Sequence, residues 1–358
     1  MPFRRFLARI RNLHSDSTRE VRHMHLGITL SSFLHREQRL HALSPDLAGV
    51  IEDMARAIKQ ISHLVSLGAL GDVLGNANAT NIQGEVQKKL DVLANDVILR
   101  HHERSGRVAA MASEEMDSIY LLPIGEQRGD YLLVFDPLDG STNVDINLSI
   151  GTIFSVLPCP PGVNEPREPD FLQPGRNQLC AGYAVYGQAT LLVLTLGRGV
   201  VSFTLDRAVG EFVLAQESLR IADEGHEYAI NTSNWRFWDP PIRRYIEECH
   251  AGAAGPRGKD FNMRWMGAMV ADCHRVLSRG GVFLYPRDSR DPKKPGKLRQ
   301  IYEANPMALL MEQAGGAAST GRESILDVVP QTLHQRIAVI MGARDEVRLI
   351  EAYHKSCT

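Results

Sequence analysis

Two carboxylates lie close together in the segment Asp136-Pro137-Leu138-Asp139-Gly140-Ser141-Thr142. The preceding apolar run, Tyr131 to Phe135, predicts a buried strand that stops at Asp136-Pro137, because proline removes a ladder donor. Both carboxylates can then aim at one point beyond the strand, and hard divalent cations take such oxygen ligands. Gly140, Ser141 and Thr142 would offer N–H groups and hydroxyls at a helix N-terminus, which is a site for anions. Taken alone, the segment is equally compatible with an acidic turn in which Asp139 caps a helix.

Further acidic residues occupy comparable positions elsewhere in the chain. They are Glu85, Asp91, Glu114, Glu115 and Glu303. Glu114 and Glu115 follow the run Val108 to Ala112, where a strand would end, and Glu303 lies two residues before Asn305-Pro306. Each acid alone is more typical of a solvated helix face, and Glu303 also suits the first turn of a helix. Their number is what favours a shared cation site.

The elements that would position these acids follow clear periodic patterns. Apolar residues recur at three- and four-residue steps from Leu47 to Leu64, which predicts a helix with Ser44 as N-cap and Pro45 in its first turn. A second helix is predicted over Val86 to Leu99. Strands are predicted at 131–135, 150–157, 181–186, 190–196 and 200–205, the last two joined in a hairpin by Gly197-Arg198-Gly199. The N-terminal half is therefore predicted to be helices packed on a largely antiparallel sheet.

Strands and helices alternate after about residue 218. Strands are predicted at 228–230 and 282–285, and helices over 266–277 and from Asn305-Pro306 to Gly315-Gly316. The run Pro158 to Gln173 lacks any period and is expected to be a surface loop or insertion. The predicted units are a basic extension over 1–25, a helix-and-antiparallel-sheet domain over 26–218 and an α/β domain over 219–358. The predicted fold class is therefore layered α+β / α/β.

The composition excludes several classes of protein. The 358 residues include 40 Lys+Arg and 42 Asp+Glu, a formal net charge of −2, so binding of nucleic acid through bulk charge is not expected. The five cysteines form no CxxC pair, which favours free thiols in a reducing compartment over a zinc site. No apolar run is long enough for a secretion signal or a membrane span. The arginine-rich extension is interpreted as a mobile segment rather than a transit peptide, and a cytoplasmic location is expected.

Several long motifs follow one another in the sequence. They are Gly84-Glu85-Val86-Gln87-Lys88-Lys89-Leu90-Asp91-Val92-Leu93, Ser113-Glu114-Glu115, Phe135-Asp136-Pro137-Leu138-Asp139-Gly140-Ser141-Thr142-Asn143, Leu172-Gln173-Pro174-Gly175-Arg176-Asn177, Gly296-Lys297-Leu298-Arg299 and Tyr302-Glu303-Ala304-Asn305-Pro306-Met307. Through this combination the sequence closely resembles class 1 fructose-1,6-bisphosphatase from about residue 28 to the C-terminus. The resemblance implies a sugar-phosphatase fold in which the N-terminal domain carries most metal ligands and the C-terminal domain binds substrate.

The resemblance also implies roles for individual residues. Two or three magnesium ions, for which manganese can substitute, would be held by Glu85, Glu114, Asp136, the backbone carbonyl of Leu138, Asp139 and Glu303. Glu85 stands where other members carry Asp. The attacking water would be polarised by Asp91 and Glu115, and the reacting phosphate would be held by Asp139, Gly140, Ser141 and Thr142. The sugar and its second phosphate would be held by Asn231, Tyr285, Lys297 and Arg264. Arg264 matches an arginine that enters the neighbouring subunit's active site, so a homo-oligomer, specifically a homotetramer, is expected.

The difficulty of the reaction explains why many carboxylates are needed. Enzymes accelerate phosphate monoester hydrolysis by up to about 10²¹-fold, whereas one general acid or base supplies about 10² to 10⁴. Paired metal ions can activate the water and neutralise the phosphoryl and leaving oxygens. We therefore expect magnesium-dependent hydrolysis of the 1-phosphate of fructose 1,6-bisphosphate, in gluconeogenesis or the Calvin cycle. The alternatives are a sedoheptulose-1,7-bisphosphatase or dual-specificity enzyme, and a non-catalytic sugar-phosphate-binding paralogue.

Two regions depart from the family pattern. Trp265 stands where many relatives have a tyrosine that hydrogen-bonds the 6-phosphate, and an indole can donate one N–H but cannot accept. In the region where many relatives bind inhibitory AMP, the loop is Ser44-Pro45-Asp46-Leu47-Ala48, while Asp130 replaces a lysine and Pro158 an arginine. The lost donors and the added negative charge predict that AMP inhibits weakly or not at all.

Overall fold

The computed structural model describes residues 27–71, 74–80, 86–123, 125, 127–290 and 295–357. The basic extension predicted over 1–25 lies outside the described residues. The same is true of Glu85, one of the metal ligands that the resemblance implies.

Three long helices form the N-terminal helical layer. They are α1 (Leu30–His41), α2 (Pro45–Leu67) and α3 (Lys89–His102). The predicted start of α2 is confirmed, because the Ser44 side chain accepts a hydrogen bond of 3.4 Å from the N–H of Leu47. The predicted start of α3 at Val86 is wrong. Residues Val86–Lys88 form strand β2, which pairs with β1 (Asn76–Thr80), so ladder hydrogen bonds replace helical ones there.

A large sheet packs against these helices. Its strands are β3 (Val108–Ser113), β4 (Tyr120–Leu121), β5 (Tyr131–Asp139), β6 (Ile150–Pro158), β7 (Cys180–Tyr186), β8 (Thr190–Thr195), β9 (Val201–Asp206) and β10 (Glu211–Gln216). They lie in the order β10-β9-β8-β7-β6-β5-β3-β4. All neighbours are antiparallel except β3 and β5. The largely antiparallel sheet and the β8–β9 hairpin are therefore as predicted.

Strand β5 continues through the acidic segment, so the predicted stop at Asp136-Pro137 is wrong. Its pairing with β6 shifts register between Asp136 and Asp139, where proline lacks a ladder donor. The carbonyl of Pro137 accepts a hydrogen bond of 2.8 Å from the Thr152 hydroxyl on β6. Residues three apart in a regular strand face opposite sides of the sheet, so the irregularity is what allows both carboxylates to reach one point.

The segment Pro158 to Gln173 is more ordered than the expected surface loop. It contains the one-turn helix α4 (Glu168–Phe171), and Phe171 is fully buried in a cluster with Ile301 and Tyr302. The segment is therefore anchored to the part of the chain that carries Glu303. Its lack of periodicity could not reveal this anchor, because isolated side chains such as Phe171 and Glu168, which accepts from the N–H of Leu333, make the contacts.

The C-terminal part contains a second sheet with helices on both faces. Its strands are β11 (Glu227–Ala229), β12 (Asn262–Met263), β13 (Val282–Tyr285), β15 (Ala317–Ser319) and β17 (Val339–Gly342), while β14 (Leu298–Arg299) pairs separately with β16 (Arg336–Ile337). The sheet order is β12-β11-β13-β17-β15. The helices are α5 (Pro240–Ala251), α6 (Met269–Arg279), α7 (Asn305–Gln313) and α8 (Arg344–Ser356).

Several shorter helical segments connect these elements. The 3-10 helices are Gly68–Gly71, Ser141–Ile146, Gly175–Asn177, Thr232–Phe237, Gly252–Ala254 and Ile325–Asp327, and the π-helix is Gln300–Ala304. Helix α6 begins at Met269 rather than at the predicted Met266. The N–H groups of Met266 and Gly267 instead donate to the carboxylate of Asp272, which holds this stretch as a loop.

The helices and sheets stack in alternating layers. Helices α1 to α3 bury Leu34 and Ile58 against one face of the large sheet, which contributes Phe135. The opposite face of that sheet, with Ile153 and Tyr183, packs against α6 and α7. The second sheet follows, and α5 and α8 cover its outer face. Burying each such large apolar side chain contributes about 1.5–3 kcal/mol, so β5 and the elements around α7 are held firmly in register.

Two further expectations concern the chain as a whole. All five cysteines are free, as predicted. Within the described residues, none of the helices combines the length and the apolar character that crossing a membrane requires.

Candidate active site

Three buried carboxylates converge where β5 ends. Asp136, Asp139 and Glu303 each place one carboxylate oxygen within 4.8 Å of the others. The two aspartates belong to β5, and Glu303 belongs to the π-helix Gln300–Ala304 directly before α7. The fold therefore joins acids that lie far apart in the sequence. Glu303 lies in the first turn of its helical segment, and it is only 3% exposed, so it is not a solvated surface acid.

Glu114 lies beside this cluster because β3 and β5 are parallel neighbours. Its N–H donates to the carbonyl of Phe135 at 3.1 Å, immediately after β3 ends. The Glu114 side chain is buried, and its pKa lies well above the usual value. Burial is the main cause, and the neighbouring carboxylates of Glu115 and Glu303 add to it.

A buried arginine compensates part of this negative charge. The guanidinium of Arg299 forms an ion pair with Glu114 and lies 4.0 Å from a carboxylate oxygen of Glu303. The backbone N–H of Arg299 also donates to Glu303. Sequence reasoning gave Arg299 no role, although it lies four residues before Glu303 at the end of the motif Gly296-Lys297-Leu298-Arg299.

Burial and mutual repulsion disfavour the charged forms of these carboxylates. Burial, followed by the charges of Glu114 and Glu303, raises the pKa of Asp136 well above its usual value. Burial and the charge of Glu303 raise the pKa of Asp139 to about 7. Carboxylates that share a buried site repel one another, and an added positive charge relieves the repulsion. Arg299 supplies one positive charge beside several acids, so it can balance only one of their charges when they are ionised.

The donor set fits a hard divalent cation. The converging atoms are all carboxylate oxygens, which magnesium and similar ions prefer over nitrogen or sulfur. Leu138, whose carbonyl the resemblance adds to the ligand set, is buried between the two aspartates in β5. Its N–H donates to Asp136 at 3.0 Å, which fixes one oxygen of that carboxylate.

Helix α6 from the C-terminal part supports Asp139. One carboxylate oxygen of Asp139 accepts a hydrogen bond of 2.7 Å from the N–H of Val270, in the first turn of α6. Positive charge at a helix N-terminus favours the ionised carboxylate. Gly140 follows with a φ of 82°, and a Cβ placed there would lie 2.4 Å from the Cβ of Ala268. Only glycine allows the acidic segment to approach α6 this closely.

Asp91 and Glu115 form a second acidic pair beside the first cluster. Asp91 is 2% exposed, so the solvated helix face that its local pattern favours is wrong. One of its oxygens accepts a hydrogen bond of 2.7 Å from the N–H of Lys88, and among the described residues the other oxygen has no partner. Burial, with a smaller contribution from the charge of Glu115, raises the pKa of Asp91 to about 7.

Ser141 and Thr142 begin the 3-10 helix Ser141–Ile146, and Gly140 is its N-cap. Asp139 is therefore not the N-cap of the helical segment that follows it, and its carboxylate instead accepts from the first turn of α6. Ser141 is half-buried and Thr142 is exposed. They follow Asp139 and Gly140 in the chain, so the segment expected to bind an anion continues from the acidic cluster.

The residues expected at the sugar end lie together in the C-terminal part. Asn231 and Tyr285 line one small pocket next to Trp238. The Nζ atom of Lys297 lies 5.7 Å from the centre of the Tyr285 ring. Trp265 lies 6.0 Å from the same ring, between ring centres. The indole is also parallel to the ring of Phe283, at 6.2 Å, which fixes its orientation.

Arg264 stands apart from this group. Its side chain is exposed and donates to the carbonyl of its own neighbour Met263 at 2.9 Å. Its backbone N–H donates to the carbonyl of Tyr228, which attaches the segment to β11. Within the described part of this one chain, the structure does not bring the guanidinium of Arg264 to the acidic cluster.

Comparison with known proteins identifies the class. The family model described as "Fructose-1-6-bisphosphatase, N-terminal domain" matches residues 28–217, and the corresponding C-terminal domain model matches residues 221–355. Two crystal structures of Leishmania major fructose-1,6-bisphosphatase are similar to the chain, and each comparison covers 92% of this chain and 99% of the other. The holo form has 36% sequence identity and a TM-score of 0.86, and the apo form 34% and 0.81.

The layered fold and the buried acidic cluster, together with these matches, define a phosphatase, a hydrolase of phosphoric monoesters. The chain belongs to the fructose-1,6-bisphosphatase family. The resemblance noted from the motifs is confirmed, and so is the predicted combination of helices and sheets. A sugar bisphosphate is the substrate that membership of this family implies.

Proposed function

We propose that this protein catalyses the magnesium-dependent hydrolysis of the 1-phosphate of fructose 1,6-bisphosphate, releasing fructose 6-phosphate and phosphate. The observation that carries the proposal is the convergence of Asp136, Asp139 and Glu303 within 4.8 Å in a buried site. Uncompensated carboxylates are costly there, so the arrangement is best explained by a cation. A magnesium ion bound there supplies positive charge that stabilises the phosphoryl and leaving oxygens in the transition state.

The residues that would hold magnesium are the three clustered acids, Glu114 and the carbonyl of Leu138. Glu114 forms an ion pair with Arg299. Arg299 would then exchange partners or move when Glu114 becomes a ligand.

Asp91 and Glu115 would accept the proton of the attacking water. A general base works best when its pKa is close to the pH of the reaction. Burial places the pKa of Asp91 at about 7. Its second oxygen has no partner among the described residues, so it is available to a water molecule.

The sugar end would be held by charge and by an aromatic wall. Lys297 and Tyr285 would contact the 6-phosphate, and Asn231 would contact the sugar or its phosphate. Arg264 is exposed near the edge strand β12, which suits a role in the active site of a neighbouring subunit. A homotetramer is accordingly part of the proposal, and mass photometry or sedimentation of the full chain measures it.

The test is phosphate release from fructose 1,6-bisphosphate with magnesium and with a chelator. Activity should require the metal and should fall at least about 10³-fold in Asp136→Asn, because a buried ligand charge is removed while shape is kept. Asp96→Asn makes the same chemical change in a half-buried residue of α3 and should retain activity. Equal activity in magnesium and in chelator would refute the proposal.

Trp265 gives a specific reason to test a second substrate. The indole occupies the aromatic wall beside Tyr285, where its size changes the space available for the sugar end. A sedoheptulose 1,7-bisphosphate would use the same two phosphate positions with one more carbon between them. The ratio of kcat/KM for the two substrates decides between fructose 1,6-bisphosphatase and a dual-specificity enzyme.

We also propose that AMP inhibits weakly or not at all. Pro45 has no N–H, and the N–H of Ala48 is used by the carbonyl of Ser44 at 3.0 Å inside α2. Asp130 adds a negative charge beside Tyr131, which pairs with Pro158. Phosphate-release assays with increasing AMP measure the effect, and strong inhibition at micromolar AMP would contradict this part of the proposal.

A further inference from the structure

A cleft of about 240 Å³ opens at the outer side of the C-terminal part. It lies at Pro286, directly after β13, where β17 begins, and where α5 begins after Asp239. Pro286 directly follows Tyr285, so the cleft adjoins the sugar end of the active site. The acidic cluster is on the opposite side of the second sheet, since α6 and α7 face that cluster and α5 covers the outer face.

The floor of the cleft is apolar. It includes Ile242, Pro286, Val328, Ile337 and Ile340. Ile242 and Ile340 are each 1% exposed and belong to the outer core, so this floor is rigid. Typical small-molecule pockets have volumes of about 300–1,000 Å³, so this cleft suits a ligand smaller than most cofactors.

The polar part of the lining contains three guanidinium groups. Arg287, Arg322 and Arg336 line the cleft, against the two acids Asp239 and Glu323. Arg322 is exposed, and among the described residues no acidic group forms an ion pair with it. A guanidinium group can donate two parallel hydrogen bonds to the oxygens of one carboxylate or phosphate group, so arginines suit recognition of these anions.

We propose that this cleft binds a small organic anion, with an apolar body on the isoleucine-lined floor and a phosphate or carboxylate group at Arg322. Arg336 connects the cleft to the sugar end, because its Nη1 donates to the backbone carbonyl of Lys297 at 3.1 Å. An anion that engages Arg336 therefore changes the position of Lys297. The bound anion alters KM for the bisphosphate more than kcat. This effect on catalysis, unlike the binding itself, rests on the proposed function.

Binding is tested first, without reference to catalysis. Benzenesulfonate carries an anionic group on an apolar ring and cannot be hydrolysed by a phosphatase, so calorimetric titration of the full chain measures its affinity directly. One saturable site is expected, with at least tenfold weaker binding of inorganic sulfate, which lacks the apolar body. Affinity should fall at least tenfold in Arg322→Ala. It should not change in Arg279→Ala, an arginine at the end of α6 that does not line the cleft.

Three outcomes would overturn the proposal. They are unchanged binding in Arg322→Ala, equal affinity for sulfate and benzenesulfonate, and strictly competitive displacement of benzenesulfonate by fructose 6-phosphate, which would place the probe in the active site. A loss of affinity that saturates with fructose 6-phosphate is instead the coupling that the proposal expects. Arg322→Glu repeats the test with reversed charge if the alanine variant does not fold. The effect on catalysis is then measured as KM and kcat in benzenesulfonate. If the protein binds benzenesulfonate but hydrolyses no bisphosphate, the proposed function is refuted and the proposed anion site in the cleft is not.

Discussion

Gly140 allows the acidic segment to approach α6, and replacing it with alanine tests that contact. The residue has a φ of 82°, a conformation that costs alanine about 1–2 kcal/mol. The new Cβ would also lie 2.4 Å from the Cβ of Ala268, which is buried. Relieving such an overlap in a packed core costs about 1–3 kcal/mol more. Gly140→Ala should therefore lower the free energy of unfolding by about 2–5 kcal/mol.

Gly162 offers a matched control. It has nearly the same φ, 80°, but nothing lies within 4 Å of the position its Cβ would take. Gly162→Ala should therefore cost only the backbone term of about 1–2 kcal/mol. Urea unfolding of both variants in chelator separates the backbone cost from the steric cost.

Activity should fall in Gly140→Ala and not in Gly162→Ala. The overlap pushes Gly140 away from α6, and the adjacent Asp139 then loses its 2.7 Å hydrogen bond from Val270. A misplacement of about 1 Å can cost about 10²-fold in rate, so phosphate release should fall by that order in Gly140→Ala and stay unchanged in Gly162→Ala. Equal destabilisation of the two variants, with full activity in both, would show that the close approach to α6 does not position Asp139.

Three further predictions concern charge in buried sites. In protein prepared with a chelator, stability should fall as pH rises from 3.8 to about 7. Burial and the charge of Glu303 raise the pKa of Asp139 from 3.8 to about 7, so over this interval the unfolded state releases the proton while the folded state keeps it. Urea midpoints measured across that range check this, and a flat profile speaks against it. Asp91→Asn should lower kcat about 10²- to 10⁴-fold with little change in KM, because the general base is lost. Phosphate release measures this, and a kcat close to that of wild type would exclude a role for Asp91 as general base. Glu346→Gln should lower the free energy of unfolding by about 3–5 kcal/mol, because buried Glu346 accepts from Arg257 at 2.6 and 2.8 Å and from Lys259 at 3.2 Å. Urea unfolding measures this change, and a loss below about 1 kcal/mol would mean that the ion pairs contribute little to stability.

Local sequence patterns predicted much of the framework. The start of α2 followed from Ser44 and Pro45, since an N-cap side chain and a first-turn proline act within one turn. The antiparallel strands followed from short apolar runs separated by glycine-rich turns. The start of α3 could not be predicted in this way, because Val86–Lys88 pairs with a strand earlier in the chain.

The site shows the same division. The acidic side chains and the spacing of Asp136 and Asp139 are enough to indicate a cation site, because oxygen ligands are defined by residue type. The burial of Asp91 was not visible in its helix, where neighbouring charged residues suggested a solvated face. The counter-ion Arg299 was also missed, since nothing local distinguishes it from a surface arginine.

The family, the identity of the acids and the turn of small residues that follows Asp139 can all be derived from the amino-acid sequence. The ability of these residues to bind a cation or an anion depends on side-chain type and on spacing over a few residues, and both can be read from the sequence. Contacts in the folded chain were needed to establish that β5 passes through Pro137 with an irregular register, and that Glu303 meets the aspartates from a π-helix far along the chain. Register and burial depend on contacts between distant segments, so no local pattern contains them.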